Sequence, residues 1–72
     1  MNTFTAYIEF DPESEMYIGS VPAVPGAHTQ AASLEELYAN LREVAALCLE
    51  EFDGSISDLP RFVGIHQIEF AE

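Results

Sequence analysis

The stretch VPAVPGAHTQAASLEELYANLREV, from Val21 to Val44, decides the fold. It predicts the end of a strand at Pro22, because proline has no N–H to donate to a sheet. Pro25 and Gly26 then fit the two central positions of a type II turn. A short strand is expected over residues 28–31, before an amphipathic helix. Nothing in this stretch is typical of a catalytic site, so it indicates a binding or structural domain.

The helix is predicted by its cap and by its periodicity. Ser33 is the expected N-cap, and Glu36 follows at the spacing of a capping box, in which each side chain bonds the other residue's backbone N–H. Glu35 and Glu36 also suit the positive end of the helix dipole, and Gly54 is the expected stop. Apolar residues recur at three- and four-residue steps and predict one buried stripe. The stripe is Leu34, Leu37, Leu41, Val44, Ala45, Cys48 and Phe52.

Strands are predicted on both sides of this stretch. Residues 3–10 alternate with period two, and their even-numbered face should meet the core. A turn at residues 11–14 leads to a second, antiparallel strand over residues 16–21. In that strand Gly19 leaves a gap that a large side chain or another backbone could fill. Residues 61–70 predict the last strand.

The predicted architecture is α+β, one domain over residues 1–72 with the order β-β-β-α-β. A right-handed crossover would place the last strand beside the first and give a four-stranded sheet of order 3-2-1-4. The helix would then cover one face only. Tyr7, Val63 and Ile65 or their neighbours would be partly exposed on the other face, where uncovered apolar area usually marks an interaction surface.

The charge of the chain is strongly negative. The chain has thirteen acidic residues, two arginines and no lysine, which gives a formal net charge of −11. Such a surface repels phosphate backbones, so no direct binding to nucleic acid is expected. It would attract a basic protein and speed its association. The alternative is that the acidity only keeps a small protein in solution.

Compartment and membrane contact are predicted from the cysteine count and from hydropathy. Cys48 is the single cysteine, which excludes an internal disulfide and fits a reducing cytoplasm. Glu9 and Asp11 near the N-terminus argue against a signal peptide. No stretch is apolar over the ~18 residues of a membrane span. A cytoplasmic protein without a membrane partner is expected.

No enzyme activity, cofactor or metal is predicted. A two-metal nuclease needs several converging carboxylates, and Glu9, Asp11 and Glu43 are the only candidates. His28 and His66 lie in different predicted strands, and neither has a second ligand at metal-binding spacing. The chain is therefore expected to act by binding rather than by catalysis.

Four short motifs carry a resemblance to a known family: VPAVPG at 21–26, HTQ at 28–30, SLEE at 33–36 and ANLRE at 39–43. Together they resemble the HicB-like antitoxins of bacterial toxin–antitoxin systems, in the short form without a C-terminal DNA-binding domain. The resemblance implies a partial ribonuclease H-like fold. It also implies that the protein neutralises a small, basic, mRNA-cleaving toxin of the HicA type by occluding its active site.

Candidate partner-binding or family-signature positions lie in the first strand, in the Pro-Gly region and in the first helical turn. They are Tyr7, Glu9, Val21, Pro22, Pro25, Gly26, His28, Thr29, Gln30, Glu35 and Glu36. The alternative for the Pro-Gly region is that it only sets the geometry between strand and helix. The alternative for the whole chain is a solitary homo-oligomeric module with a regulatory or structural role and no toxin. A dimer or tetramer is expected because one sheet face is uncovered.

Overall fold

Three antiparallel strands and one long helix make up the protein. The computed structural model describes residues 3–71. The elements in chain order are β1 (Tyr7–Asp11), β2 (Met16–Ser20), β3 (His28–Ala31), α1 (Leu34–Glu51) and a short 3-10 helix (Ile56–Asp58). The strands form one sheet of order β1-β2-β3. The fold is therefore a small α+β fold, as the sequence predicts.

The register confirms which residues of the first hairpin share a face, but the even-numbered face meets the core only in part. Phe4 and Ala6 pack against the core outside the strand, whereas Ile8 and Phe10 within it are 40% and 51% exposed. Ile8 pairs with Gly19 and Phe10 pairs with Tyr17. Directly opposed residues of an antiparallel pair point to the same face, so the even-numbered residues of β1 share the face of Gly19. The rings of Phe10 and Tyr17 contact each other there, with centroids 5.1 Å apart. The turn brings Glu15 to a φ of 60°, in the left-handed region that most residues avoid.

The helix packs on the sheet at the glycine gap. Gly19 is buried, and a Cβ placed on it would lie 2.9 Å from Cδ1 of Leu41. The predicted gap is thus filled by a helix side chain. Leu37, one turn earlier, is 0% exposed and Leu41 is 6% exposed, so the centre of the predicted apolar stripe is confirmed. Leu34, at its start, is exposed.

Both ends of α1 differ in part from the prediction. At the N-terminus the backbone N–H of Glu36 donates to Oγ of Ser33 at 3.2 Å. The return bond of the capping box is not formed within the described residues, so only half of the box is present. At the C-terminus the helix ends at Glu51, and Phe52 is extended, with φ −69° and ψ 126°. The prediction of Gly54 as the stop is therefore wrong.

The predicted fourth strand is not formed. Residues 59–71 carry no strand, and no backbone hydrogen bond between described residues involves residues 60–71. The sheet ends at β1, and the order 3-2-1-4 is corrected to a three-stranded sheet. The physical reason lies in the helix, which packs against β2 and β3 and, within the described residues, does not reach β1. A strand added beyond β1 would find no helix to cover it.

Replacing Gly19 by alanine tests the close approach of α1. The added Cβ would meet two Leu41 methyl carbons at 2.9 and 3.1 Å, and overpacking of this kind costs about 1–3 kcal/mol. We expect Gly19→Ala to lower the free energy of unfolding by about 1 kcal/mol, because alanine recovers part of the cost through the unfolded state. Urea denaturation measures the change.

Gly64→Ala is the matched control, because nothing lies within 4 Å of a Cβ at Gly64. Its free energy of unfolding should stay within about 0.5 kcal/mol of the wild-type value. Shortening the opposing side chain by Leu41→Val should make the effect of Gly19→Ala smaller. Equal effects of Gly19→Ala in both backgrounds would contradict the proposed contact.

Candidate protein-binding surface

Residues 21–27, here called the signature loop, consist of two consecutive turns closed by a third hydrogen bond. The N–H of Val24 donates to the carbonyl of Val21 at 2.9 Å, and the N–H of Ala27 donates to that of Val24 at 3.1 Å. The N–H of Val21 donates back to the carbonyl of Ala27 at 2.8 Å. Gly26 has a φ of 81°. This value confirms the predicted type II turn, which needs a positive φ after proline.

Every third residue of the signature loop is buried. Val21 is 5% exposed, Val24 2% and Ala27 4%. The loop is therefore part of the core, whereas Pro22 and Pro25 face solvent. Sequence reasoning missed Val24 and Ala27 as core residues. Their three-residue spacing from Val21 was the available signal, hidden because neither strand nor helix periodicity applies in a loop.

Truncating Val24 tests the structural role of the signature loop. Val24→Ala leaves a cavity beside Leu37 and the other buried side chains, and we expect it to lower the free energy of unfolding by about 2 kcal/mol. Pro25→Ala changes an exposed residue of the same turn and should cost less than about 1 kcal/mol. Thermal and urea unfolding measure both. A larger loss for Pro25→Ala would contradict the assignment of Val24 to the core.

The sheet face opposite α1 is uncovered and collects several predicted positions. The register places Tyr7, Ser20 and His28 in one row across the strands. Glu9, Ile18 and Gln30 form the next row. We call these six residues the free sheet face. Tyr7, Glu9, His28 and Gln30 are all exposed, so four candidate positions from two strands meet on one surface.

The other candidate positions lie elsewhere. Thr29 pairs with Gly19 and therefore points to the helix side, where it is half-buried. Glu35 and Glu36 are exposed in the first turn of α1. The remaining positions belong to the signature loop: Val21, Pro22, Pro25 and Gly26. The candidate set thus divides into an exposed sheet face, a loop that builds the core and an acidic helix start.

The C-terminal residues begin beside the free sheet face. Residues 60–64 lie next to Thr5, Tyr7, Pro22 and Ala23, and together they line a cavity of about 260 Å³. Beyond this point the chain is exposed along its whole described length. We call residues 61–71 the C-terminal arm. Val63 and Ile65 are 93% and 73% exposed, but not on a sheet face as predicted, because the arm forms no strand.

The charges of the described residues all lie at the surface. No charged side chain is buried, and every described acidic residue is exposed except Asp11, which as a whole residue is half-buried. The outward side of α1 carries several of these acidic residues: Glu35, Glu36, Glu43, Glu50 and Glu51.

No helix among residues 3–71 is both long and apolar enough to cross a membrane.

Two further features concern metals and the cysteine. Among the described residues no cluster of three or more His, Cys, Asp or Glu side chains could hold a metal ion.

Cys48 is a free, half-buried cysteine that packs against the core. Its Sγ would lie 3.6 Å from a Cβ placed on Gly26. The thiol thus lies beneath the turn of the signature loop, in a packing position.

Asp11 organises the turn between β1 and β2. Its Oδ2 accepts a hydrogen bond from Oγ of Ser14 at 2.8 Å, and its Oδ1 accepts one from the N–H of Glu13 at 3.3 Å. These bonds, the one from Ser14 first, lower the pKa of the Asp11 carboxyl because they favour its charged form. Asp11 thereby holds the tip of the hairpin that carries Tyr7 and Glu9.

The lowered pKa of Asp11 predicts an acid-sensitive contribution to stability. A carboxyl whose pKa is lower in the folded state stabilises fully above its unfolded pKa of about 3.9, and this contribution is lost as pH falls through the folded pKa. We expect Asp11→Asn to flatten the loss of stability below about pH 4. Glu13→Gln removes a charge from the same turn but keeps the Asp11 carboxyl, and should retain the wild-type profile. Urea unfolding midpoints of the wild type and both variants, measured from pH 2 to 6, give the three pH profiles to compare.

The fold and the surface together define a small acidic α+β domain with an open sheet face. No family model matches the chain, and no solved structure matches it significantly. Over 66 residues the chain is 53% identical to a UPF0150 protein of Thermotoga maritima, covering 92% of this chain and 87% of the relative. It is 38% identical over 65 residues to a UPF0150 protein of Synechocystis, covering 90% of both chains.

An archaeal relative is similar over the same extent. The chain is 39% identical over 66 residues to a UPF0150 protein of Archaeoglobus fulgidus, covering 92% of this chain and 91% of the relative. The chain therefore belongs to the UPF0150 family. Members occur in bacteria and in archaea, and the similarity spans nearly the whole sequence.

Proposed function

We propose that this UPF0150 protein is an antitoxin-like binding domain, related to the HicB-like antitoxins, that occludes the active site of a small basic mRNA-cleaving toxin. The observation that carries the proposal is the free sheet face. It gathers Tyr7, Glu9, His28 and Gln30 on one uncovered surface of a chain with a net charge of −11.

The side chains of the free sheet face suit a basic protein partner. Tyr7 offers a large amphipathic ring that is 41% exposed, and tyrosine is enriched among residues that dominate binding energy. Glu9 can accept the paired N–H groups of an arginine, the strongest hydrogen-bond geometry of a carboxylate. Gln30 supplies both a donor and an acceptor. The face thus combines an aromatic anchor with polar groups that fix orientation.

The charge of the chain supports a nucleic-acid-binding enzyme as the partner. A site that cleaves RNA must attract phosphates, so it carries Lys and Arg side chains. An acidic face competes for those side chains and is steered to them at rates up to ~10⁸–10⁹ M⁻¹s⁻¹ at low salt. The same negative surface disfavours direct contact with RNA. Occlusion of the toxin is therefore the mechanism that the electrostatics favour.

A relation to the ribonuclease H-like fold and a cytoplasmic location belong to the same proposal. The ribonuclease H-like arrangement requires a fourth strand. Residues 61–70 have the apolar, alternating sequence that such a strand needs. The single cysteine, Cys48, suits a reducing compartment. Both inferences agree with a partner that acts on messenger RNA.

The test begins in the genome, where the proposal predicts a gene for a small basic protein next to the gene for this chain. We expect the chain to bind that protein and to inhibit its cleavage of RNA. The association rate should fall about tenfold or more between 50 and 500 mM NaCl, because salt screens the steering charges. Stopped-flow or surface-plasmon measurements give the rate, and a fluorescent RNA substrate reports inhibition.

Matched variants locate the binding surface. Glu9→Gln and Tyr7→Ala change the free sheet face and should each weaken binding about tenfold or more. Glu50→Gln removes the same charge from the exposed side of α1 and should weaken it less than about threefold. Equal effects of Glu9→Gln and Glu50→Gln would contradict the free sheet face as the site. A genome without such a neighbour, or full RNA cleavage in the presence of the chain, would overturn the antitoxin proposal.

A further inference from the structure

The C-terminal arm has the composition of a strand that is covered on both faces. In an extended chain, side chains alternate between two faces. One face of the arm would carry Val63 and Ile65, and the other Phe62, Ile68 and Phe70. In the single chain these side chains are exposed, from 46% at Phe62 to 93% at Val63. Soluble monomers rarely expose such contiguous apolar surface.

Most of the arm lies away from the body of the protein, and only its first residues, 61–64, line the cavity beside Tyr7. The radius of gyration is 14.0 Å, whereas a compact chain of this length has a radius of about 11 Å. The longest axis of the molecule is 43 Å and the shortest 18 Å. Within the described residues the backbone of residues 60–71 forms no hydrogen bond to other backbone groups. The arm is thus apolar, and its backbone donors and acceptors have no backbone partner among the described residues.

The body offers a matching open edge at β1. This strand lies at the end of the sheet and pairs only with β2 among the described strands. Its outer edge presents free N–H and C=O groups, which are a template for another strand. Ile8 and Phe10 on one face of β1 are 40% and 51% exposed. The edge therefore has both the backbone groups and the apolar side chains that a further strand needs.

The same chain cannot cover its own arm on both faces. The helix packs against β2 and β3 and leaves β1 uncovered within the described residues. If the arm folded back beside its own β1, it would lie still farther from α1. Both apolar faces of the arm would stay in water. In a two-chain arrangement the arm is just as far from the α1 of the second copy, so its apolar faces are covered by the second arm and the second sheet instead.

Charge and size favour a second copy over a basic partner. Arg61 and Glu69 are the only charged residues of the arm, so this region is neutral in a chain of net charge −11. The neutral arm adds no net charge to the β1 edge, which carries Glu9 and Asp11, and a basic protein has no electrostatic reason to choose the arm. Two arms with five large apolar side chains each would bury on the order of 1,500 Å², within the ~1,200–2,000 Å² of stable interfaces.

We propose that the C-terminal arm of one copy pairs with the β1 edge of a second copy, and that the exchange is reciprocal. Each sheet then gains its fourth strand from the partner chain. The resulting dimer is two-fold symmetric, because the same two surfaces are used on both copies. This contact uses the backbone edge of β1, whereas the toxin proposal uses the side chains of Tyr7 and Glu9 on the face of the same strand, and the solution mass of the chain is measured without any toxin. The dimer therefore stands or falls independently of any toxin.

The first measurement is the solution mass of the full chain by light scattering and native mass spectrometry. The single chain has a mass of 8.0 kDa, and we expect twice that mass at micromolar concentration. Ile68→Asp places a charge in the arm and should raise the dimer dissociation constant at least tenfold. Leu47→Asp makes the same change on α1 at a leucine that is 54% exposed, and should raise it less than threefold.

Two further readouts separate exchange from other outcomes. In a mixture of isotope-labelled and unlabelled chains, filtered NMR spectra should show contacts between the Ile65 or Ile68 methyl groups of one copy and Ile8 of the other. If Ile68→Asp fails to fold, the wild-type melting temperature should rise with protein concentration, as for a folding-coupled dimer. A monomer, a dimer insensitive to Ile68→Asp, or contacts within one chain only would each overturn the proposal.

Discussion

The packing of Leu41 into the space left by Gly19 fixes the position of the helix on the sheet. A Cβ on Gly19 would lie 2.9 Å from the leucine methyl carbon, so no other residue allows the same approach without a shift. Ala31 on the neighbouring strand is also small and buried. Because these small residues lie on β2 and β3, the helix lies over those two strands. The uncovered state of β1 follows from this choice.

The structure separates the residues that build the fold from those that are available to a partner. The signature loop directs Val21, Val24 and Ala27 into the core, so its sequence is explained by packing. The strands direct Tyr7 and Glu9 to the opposite surface. The resemblance to HicB-like antitoxins therefore rests largely on residues with a structural role. Residues of the free sheet face can change without disturbing the signature loop.

Local rules predicted most of the fold, although the helix stop at Gly54 was a local miss; the larger miss, the fourth strand, is non-local. Alternation predicted the first hairpin, the type II turn followed from Pro25 and Gly26, and the cap at Ser33 is present. The fourth strand was predicted from the same alternation, but a pattern shows only that a segment can pair. The pattern does not show which strand the segment pairs with, or where that strand lies. For the surface, register alone brought Tyr7 and His28 together, and no spacing in the sequence reveals the register of strands that are far apart.

The small size of the buried side chains has a consequence for how this sequence can change. The core consists of Val21, Val24, Ala27, Ala31, Leu37 and Leu41, of which only the two leucines are larger than valine. At the alanines a mutation can hardly remove volume; it can only add it. The effect of substitutions at the buried alanines should therefore depend on their direction. A larger side chain strains the packed core, whereas a smaller one removes little buried volume. A lineage of this protein should drift in its surface charges long before it drifts in its smallest buried residues.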